Sequence, residues 1–246
     1  FYALDLRRHG RALRKGQWPN FTADLHQYLD DVSAAIGLPQ APEGVEWLLL
    51  NGHSTGGLVA ALYAHRGPRR SDVDAVFLNS PFLDMNLPAW QEAVLEPVLS
   101  AVGRIVPSLK LPGLSSLYGE SLHADHRGEW SFDLAWKPLA GFPARAGWFR
   151  AIHRAQAEVA GGLSIAQPVL LLHAGRSAHP KEWNADVLSA DIVLDVADME
   201  RLAPGLGSRV EVGSVDGGIH DLVLSREPAR ARTFELLADW LRGARS

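Results

Sequence analysis

With 246 residues, 47% of them hydrophobic and 21% charged, the chain can bury a large core, and one α/β domain with an insertion is expected. A formal net charge of -4, with acids and bases interspersed, offers no basic face to nucleic acid or an anionic membrane; no apolar run reaches the roughly 20 residues of a membrane span. Cysteine is absent, which excludes disulfides, thiol catalysis and cysteine-based metal sites and points to the cytoplasm.

Phe1-Tyr2-Ala3-Leu4-Asp5-Leu6 reads as a buried strand. A domain seldom opens on one, so the sequence is expected to belong to a longer gene product. Arg7-Arg8-His9-Gly10-Arg11 makes a polar turn. Asn20 is placed to cap a helix with Phe21, Leu25, Leu29, Val32 and Ile36 on one apolar stripe, ended by Gly37 and Pro39. The apolar run 46–51 then leads into Gly52-His53-Ser54-Thr55-Gly56-Gly57, and a helical pattern follows over 58–64. Residues 73–79 form the next strand, stopped by Ser80-Pro81.

Over 83–165 strand signals vanish, prolines recur, and Trp90, Trp130, Phe132, Trp136, Phe142, Trp148 and Phe149 gather. Helices are expected near 89–106 and 144–160. This segment reads as a helical lid set between two core parts, 1–82 and 166–246; an irregular connection packed on the core is the alternative. Strands resume at 168–173 and 209–215, and a terminal helix should turn Phe234, Leu237, Trp240 and Leu241 inward. Strands alternating with helices imply a mostly parallel, doubly wound sheet.

A glycine-bracketed serine between a strand and a helix describes a nucleophile elbow. The turn is so sharp that the serine is strained, and a Cβ on the flanking glycines would collide with the neighbouring strand or helix. Ser54 is then the candidate nucleophile. A serine hydroxyl needs a base within hydrogen-bond reach, and the base needs an orienting acid. In an elbow protein the base follows the final strand; here Asp216-Gly217-Gly218-Ile219-His220-Asp221 delivers His220. The acid is expected in the loop after the strand at 168–173, but Ser177 stands there. Residues 176–190 read as an inserted excursion and Asp191 as the displaced acid. Asp195 is its rival, because Asp also caps helices well; Asp186 and Asp221 are the remaining candidates. Thr55 N–H, next after the nucleophile, is the expected oxyanion donor. His173 and His179 lack partners at metal-ligand spacing.

Tyr2 to Arg11, Gly52 to Gly57, Pro168 to His173 and Gly217 to Asp221 together resemble the α/β-hydrolase superfamily. Within it they are similar to the serine aminopeptidase S33-like branch, which includes monoglyceride lipase and lysophospholipase-type enzymes. The resemblance implies an α/β-hydrolase fold, an acyl-enzyme route for carboxylic ester hydrolysis, a small-molecule ester substrate, and neither metal nor organic cofactor. An apolar lid suits a monoacylglycerol or lysophospholipid. The first three strands of the family fold have no counterpart in these residues and are expected in the native protein. The loop that normally supplies a second oxyanion donor goes with them; its loss typically costs about 10²–10³ in rate, so these residues alone should be a poor enzyme. Two other readings stand beside this one. A proline-type aminopeptidase would use lid carboxylates among Glu96, Glu120, Asp125, Glu129 and Asp133. A non-catalytic relative would use the pocket for binding.

Overall fold

The computed structural model describes residues 1–38, 45–85, 97–98, 100–111, 113 and 115–245. They divide into two compact units, one of residues 1–35 and 87–155, the other of residues 36–86 and 156–246. The second unit carries the sheet. Its strands are β1 (Leu49–His53), β2 (Ala75–Asn79), β3 (Val169–Ala174) and β4 (Val210–Val215), all parallel, in the spatial order β1-β2-β3-β4. β2 and β3 are buried at every position, as continuous apolar runs require when both faces of a sheet are covered. Among the described residues β4 pairs with β3 alone and is only partly buried, with three of its six positions exposed.

The helices, in chain order, are α1 (Gln27–Gly37), α2 (Thr55–Arg66), α3 (Leu117–Leu122), α4 (Ala146–Ala160), α5 (Val196–Leu202) and α6 (Ala229–Ala244). Parallel neighbours need a crossover, and α2 supplies the one between β1 and β2. It is buried from Gly57 through Ala64 and packs on both strands. On β3 and β4, Leu170, Leu172, Ala174 and Val215 form a core with Trp240 of α6. Strand register sets His53, Asn79 and Leu172 in one row at the carboxyl end of the sheet.

The other unit is held differently. The Arg7 guanidinium grips both carboxylate oxygens of Asp31, Trp18 meets Phe21 edge-on at 5.1 Å, and Arg145 stacks 4.2 Å over Trp18. The helix expected near 144–160 is α4. Of that expected near 89–106, residues 97–98 and 100–105 are helical, and 89–96 lie outside the described residues.

Three expectations are corrected. Residues 1–6 form no strand, and Phe1, Tyr2 and Leu4 are exposed. A strand exists by its ladder, and these residues pair with no neighbouring strand among the described residues. Asn20 does not cap α1, because its φ of 54° is left-handed whereas a cap residue is extended. Thr22 and Asp24 make turns there instead, Asp24 Oδ1 accepting from His26 N, and α1 starts at Gln27; Phe21 and Leu25 are nonetheless buried. Phe234 is exposed: it stands six residues from Trp240, about 120° away around the helix, and Thr233 takes the inward position.

Candidate active site

β1 runs directly into Ser54, which adopts φ 54°, ψ -120°, and α2 begins on the next residue. Backbone of this kind costs about 1–3 kcal/mol and persists only where its surroundings over-determine it. Here they do. Ser54 N donates to Asn79 O at 3.1 Å, and Ser54 O accepts from Gly57 N, Leu58 N and Phe82 N at 2.9, 3.2 and 3.0 Å. A Cβ on Gly52 would overlap the Gly56 carbonyl, and one on Gly57 would stand 2.7 Å from Pro81 Cβ. Gly56 departs from expectation, since nothing lies within 4 Å of a Cβ built there. The tight turn therefore requires the first and third of these glycines and not the second. Thr55 N–H lies in the first turn of α2, where amides have no intrahelical acceptor and the helix dipole is positive.

β4 ends at Val215, and the loop after it is closed by a 3₁₀ turn at Leu222–Leu224 and by Ile219 N donating to Ser225 Oγ at 3.1 Å. That loop carries His220, 2% exposed, with Nδ1 2.8 Å from Asp191 Oδ2. A carboxylate can only accept, so Nδ1 bears a proton, and Nε2 is the nitrogen left to act as a base when the ring is neutral. Asp191 is completely buried, and its Oδ1 accepts from Val193 N and Leu194 N, both at 2.8 Å. Burial pushes the Asp191 carboxyl up. The charge and hydrogen bond of His220, with the amides of Leu194 and Val193, outweigh it and hold the group below its ordinary value.

The excursion explains how Asp191 arrives. Ser177 and Asp191 form an isolated parallel bridge, with Asp191 N on Arg176 O at 3.0 Å and Ala178 N on Asp191 O at 2.9 Å. The chain leaves after β3 and returns to the same point, so Asp191 stands beside the position where an acid was expected. Inside the excursion, Arg176 pairs with Asp186 at 2.6 Å. Asp195 caps α5, accepting from Ala197 N at 3.0 Å and from Ser177 Oγ at 3.3 Å. Asp221 accepts from Asn79 Nδ2 at 2.8 Å.

Sequence reasoning missed two residues at this place. The His53 ring lies 4.7 Å from the His220 ring, tilted by 55°, and its Nδ1 donates to Asn79 O at 3.0 Å. Asn79 itself is 3% exposed. Its signal was legible: an amide closing the otherwise apolar run 75–78. His173 is buried with Nε2 3.5 Å from Glu200, and His179 is exposed. Among the described residues no group of three or more His, Cys, Asp or Glu could hold a metal ion. Of the carboxylates an aminopeptidase would use, Glu120 accepts from Ser116 Oγ, Asp133 accepts from Ala135 N, Asp125 and Glu129 are exposed, and Glu96 lies outside the described residues.

A parallel sheet whose first strand turns through a strained serine into a helix, with a histidine after the last strand, defines an α/β-hydrolase. The chain belongs to the serine aminopeptidase S33 family, whose profile matches residues 1–227. Among solved structures it is similar to the monoacylglycerol lipase of Paleococcus ferrophilus, at 21% identity and TM-score 0.70, covering 99% of this chain and 83% of that one. A soluble variant of monoglyceride lipase from Saccharomyces cerevisiae, in complex with a substrate analogue, matches at 14% identity and TM-score 0.69, covering 98% and 76%. Est1E from Butyrivibrio proteoclasticus, with ferulic acid bound, matches at 15% identity and TM-score 0.53, covering 97% and 74%. No curated protein matches the chain.

Proposed function

We propose that this protein is a serine hydrolase that cleaves carboxylic esters through an acyl-enzyme. The observation that carries this reading is the buried 2.8 Å bond between Asp191 and His220, set beside the elbow that bears Ser54. Ser54 Oγ attacks the ester carbonyl while His220 Nε2 takes its proton. Thr55 N–H donates to the oxyanion, and Asp191 fixes the tautomer and stabilises the imidazolium. His220 then protonates the leaving alcohol. In the second half it draws a proton from water, whose oxygen attacks the acyl carbonyl; the bond to Ser54 Oγ breaks, the acid leaves, and His220 returns the proton to Ser54. None of these steps needs a metal or organic cofactor.

The segment 83–165 serves as the lid in this reading, and a lipophilic ester such as a monoacylglycerol or lysophospholipid is the substrate class. Two structural relatives are lipases of monoacylglycerols, which supports that choice. No described helix is long and apolar enough to cross a membrane; the cysteine-free chain is assigned to the cytoplasm as part of the same proposal. The family description favours one further reading, removal of an N-terminal residue from a peptide.

The test is labelling with a fluorophosphonate probe, followed by rates on a short-chain p-nitrophenyl ester and on a proline arylamide. An adduct on Ser54 and faster ester cleavage are expected. Faster amide cleavage would establish the peptidase, and no adduct at all a binding protein.

A further inference from the structure

We infer that Asn79 is the positioning residue that holds the nucleophile's turn and the base's loop in register. The inference rests on the serine hydrolase reading and adds to it a residue outside the three that react. Asn79 ends β2, level with His53 on β1. Its carbonyl accepts from Ser54 N at 3.1 Å and from His53 Nδ1 at 3.0 Å, so the bond that fixes the serine's own amide is made to Asn79. Its carboxamide reaches the other way and clamps the two residues that follow His220. Nδ2 donates to Asp221 Oδ1 at 2.8 Å, and Oδ1 accepts from Leu222 N at 3.2 Å. Asp221 Oδ2 stands 3.7 Å from His53 Nε2, and the His53 ring lies against His220, which closes the circuit.

Packing does not explain an amide here. Val76, Phe77 and Leu78 before it are fully buried hydrocarbon, and a further apolar side chain would extend that run without desolvating a carboxamide. What the carboxamide adds is a pair of hydrogen bonds, one of them to a carboxylate and so of the stronger kind. Both bonds end within two residues of His220, and the carbonyl bond ends on Ser54. Releasing the carboxamide frees the base's loop relative to the nucleophile while leaving both reacting groups chemically intact. A displacement of about 1 Å in such a pair costs on the order of 10²-fold in rate.

The experiment compares Asn79→Asp, Asp221→Asn and the double variant that exchanges the two side chains. Asn79→Asp sets two carboxylates against each other and should lower kcat on the order of 10²-fold. KM should stay within about threefold, the split of an interaction felt in the transition state. The exchange restores one N–H···O bond with donor and acceptor reversed, and Leu222 N still meets an oxygen. Its kcat should return to within about fivefold of wild type, and this non-additivity is the signature of a direct pair. Every variant is nearly isosteric, and thermal melting of each is the control for folding. An exchange variant as slow as Asn79→Asp, or single variants that lose melting temperature while kcat holds, would overturn the inference. Fluorophosphonate labelling separates this failure from that of the underlying reading. A Ser54 adduct forming at the wild-type rate in Asn79→Asp refutes Asn79 alone, whereas a wild type that never labels removes both.

Discussion

Replacing Asp191 with Asn should nearly abolish hydrolysis, and the geometry says why. Asp191 Oδ1 receives two buried amides, Val193 N and Leu194 N. An asparagine must keep its carbonyl oxygen on that side, because turning its NH₂ there would orphan both, at about 1–3 kcal/mol each. The NH₂ then faces His220 Nδ1 and demands a lone pair from it. The ring proton moves to Nε2, the nitrogen that must accept from Ser54. A base locked in the wrong tautomer costs on the order of 10⁴ in kcat, or about 5 kcal/mol of barrier. The fold should survive, since the variant is isosteric and its acceptor bonds are kept. The assay is kcat/KM on a p-nitrophenyl ester, with thermal melting as the control for folding. A loss under about tenfold in a folded variant would refute the assignment of Asp191 as the orienting acid.

Asp195→Ala should show the opposite profile: a loss of about 1 kcal/mol in denaturant unfolding as the α5 cap goes, with kcat/KM unchanged. Gly52→Ala should yield insoluble or unfolded protein, because its Cβ meets backbone, whereas Gly56→Ala should fold and gain about 0.5–1 kcal/mol by chemical denaturation. The acid limb of stability gives a fourth prediction. The Asp191 carboxyl is depressed below its ordinary 3.8 in the folded state, so its contribution is present above that value and is lost as pH falls through the lower folded one. The stability gap between wild type and Asp191→Asn should therefore narrow from about pH 5 towards pH 2, and a gap independent of pH over that range would contradict it.

Much of the fold was legible because its signals are local. The runs at 46–51, 73–79, 168–173 and 209–215 each became a strand within about three residues of the expected bounds. The glycine-bracketed Ser54 announced its own turn. The separation of Asp191 from Ser177 was harder, since only the tertiary bridge between them explains it; what could be read in the chain was the texture repeated after residue 190. Residues 1–6 misled because an apolar run states a preference for pairing and says nothing about whether a partner stands beside it. Asn79 and His53 went unread because their significance lies in bonds between β2, the elbow and a loop some 142 positions away. Phe234 failed through helix phase: one residue of rotation separates the buried Thr233 from a phenylalanine facing solvent.

The detour between Ser177 and Asp191 departs from the scaffold and rejoins it across a single ladder rung. Closure entropy rises only slowly with contour length, so a loop pinned at its neck can grow, shrink or be exchanged at little thermodynamic expense. The carboxylate's address is therefore set by the neck and not by how many residues come before it. Residues 178–190 can thus be rewritten while Asp191 keeps its place against His220.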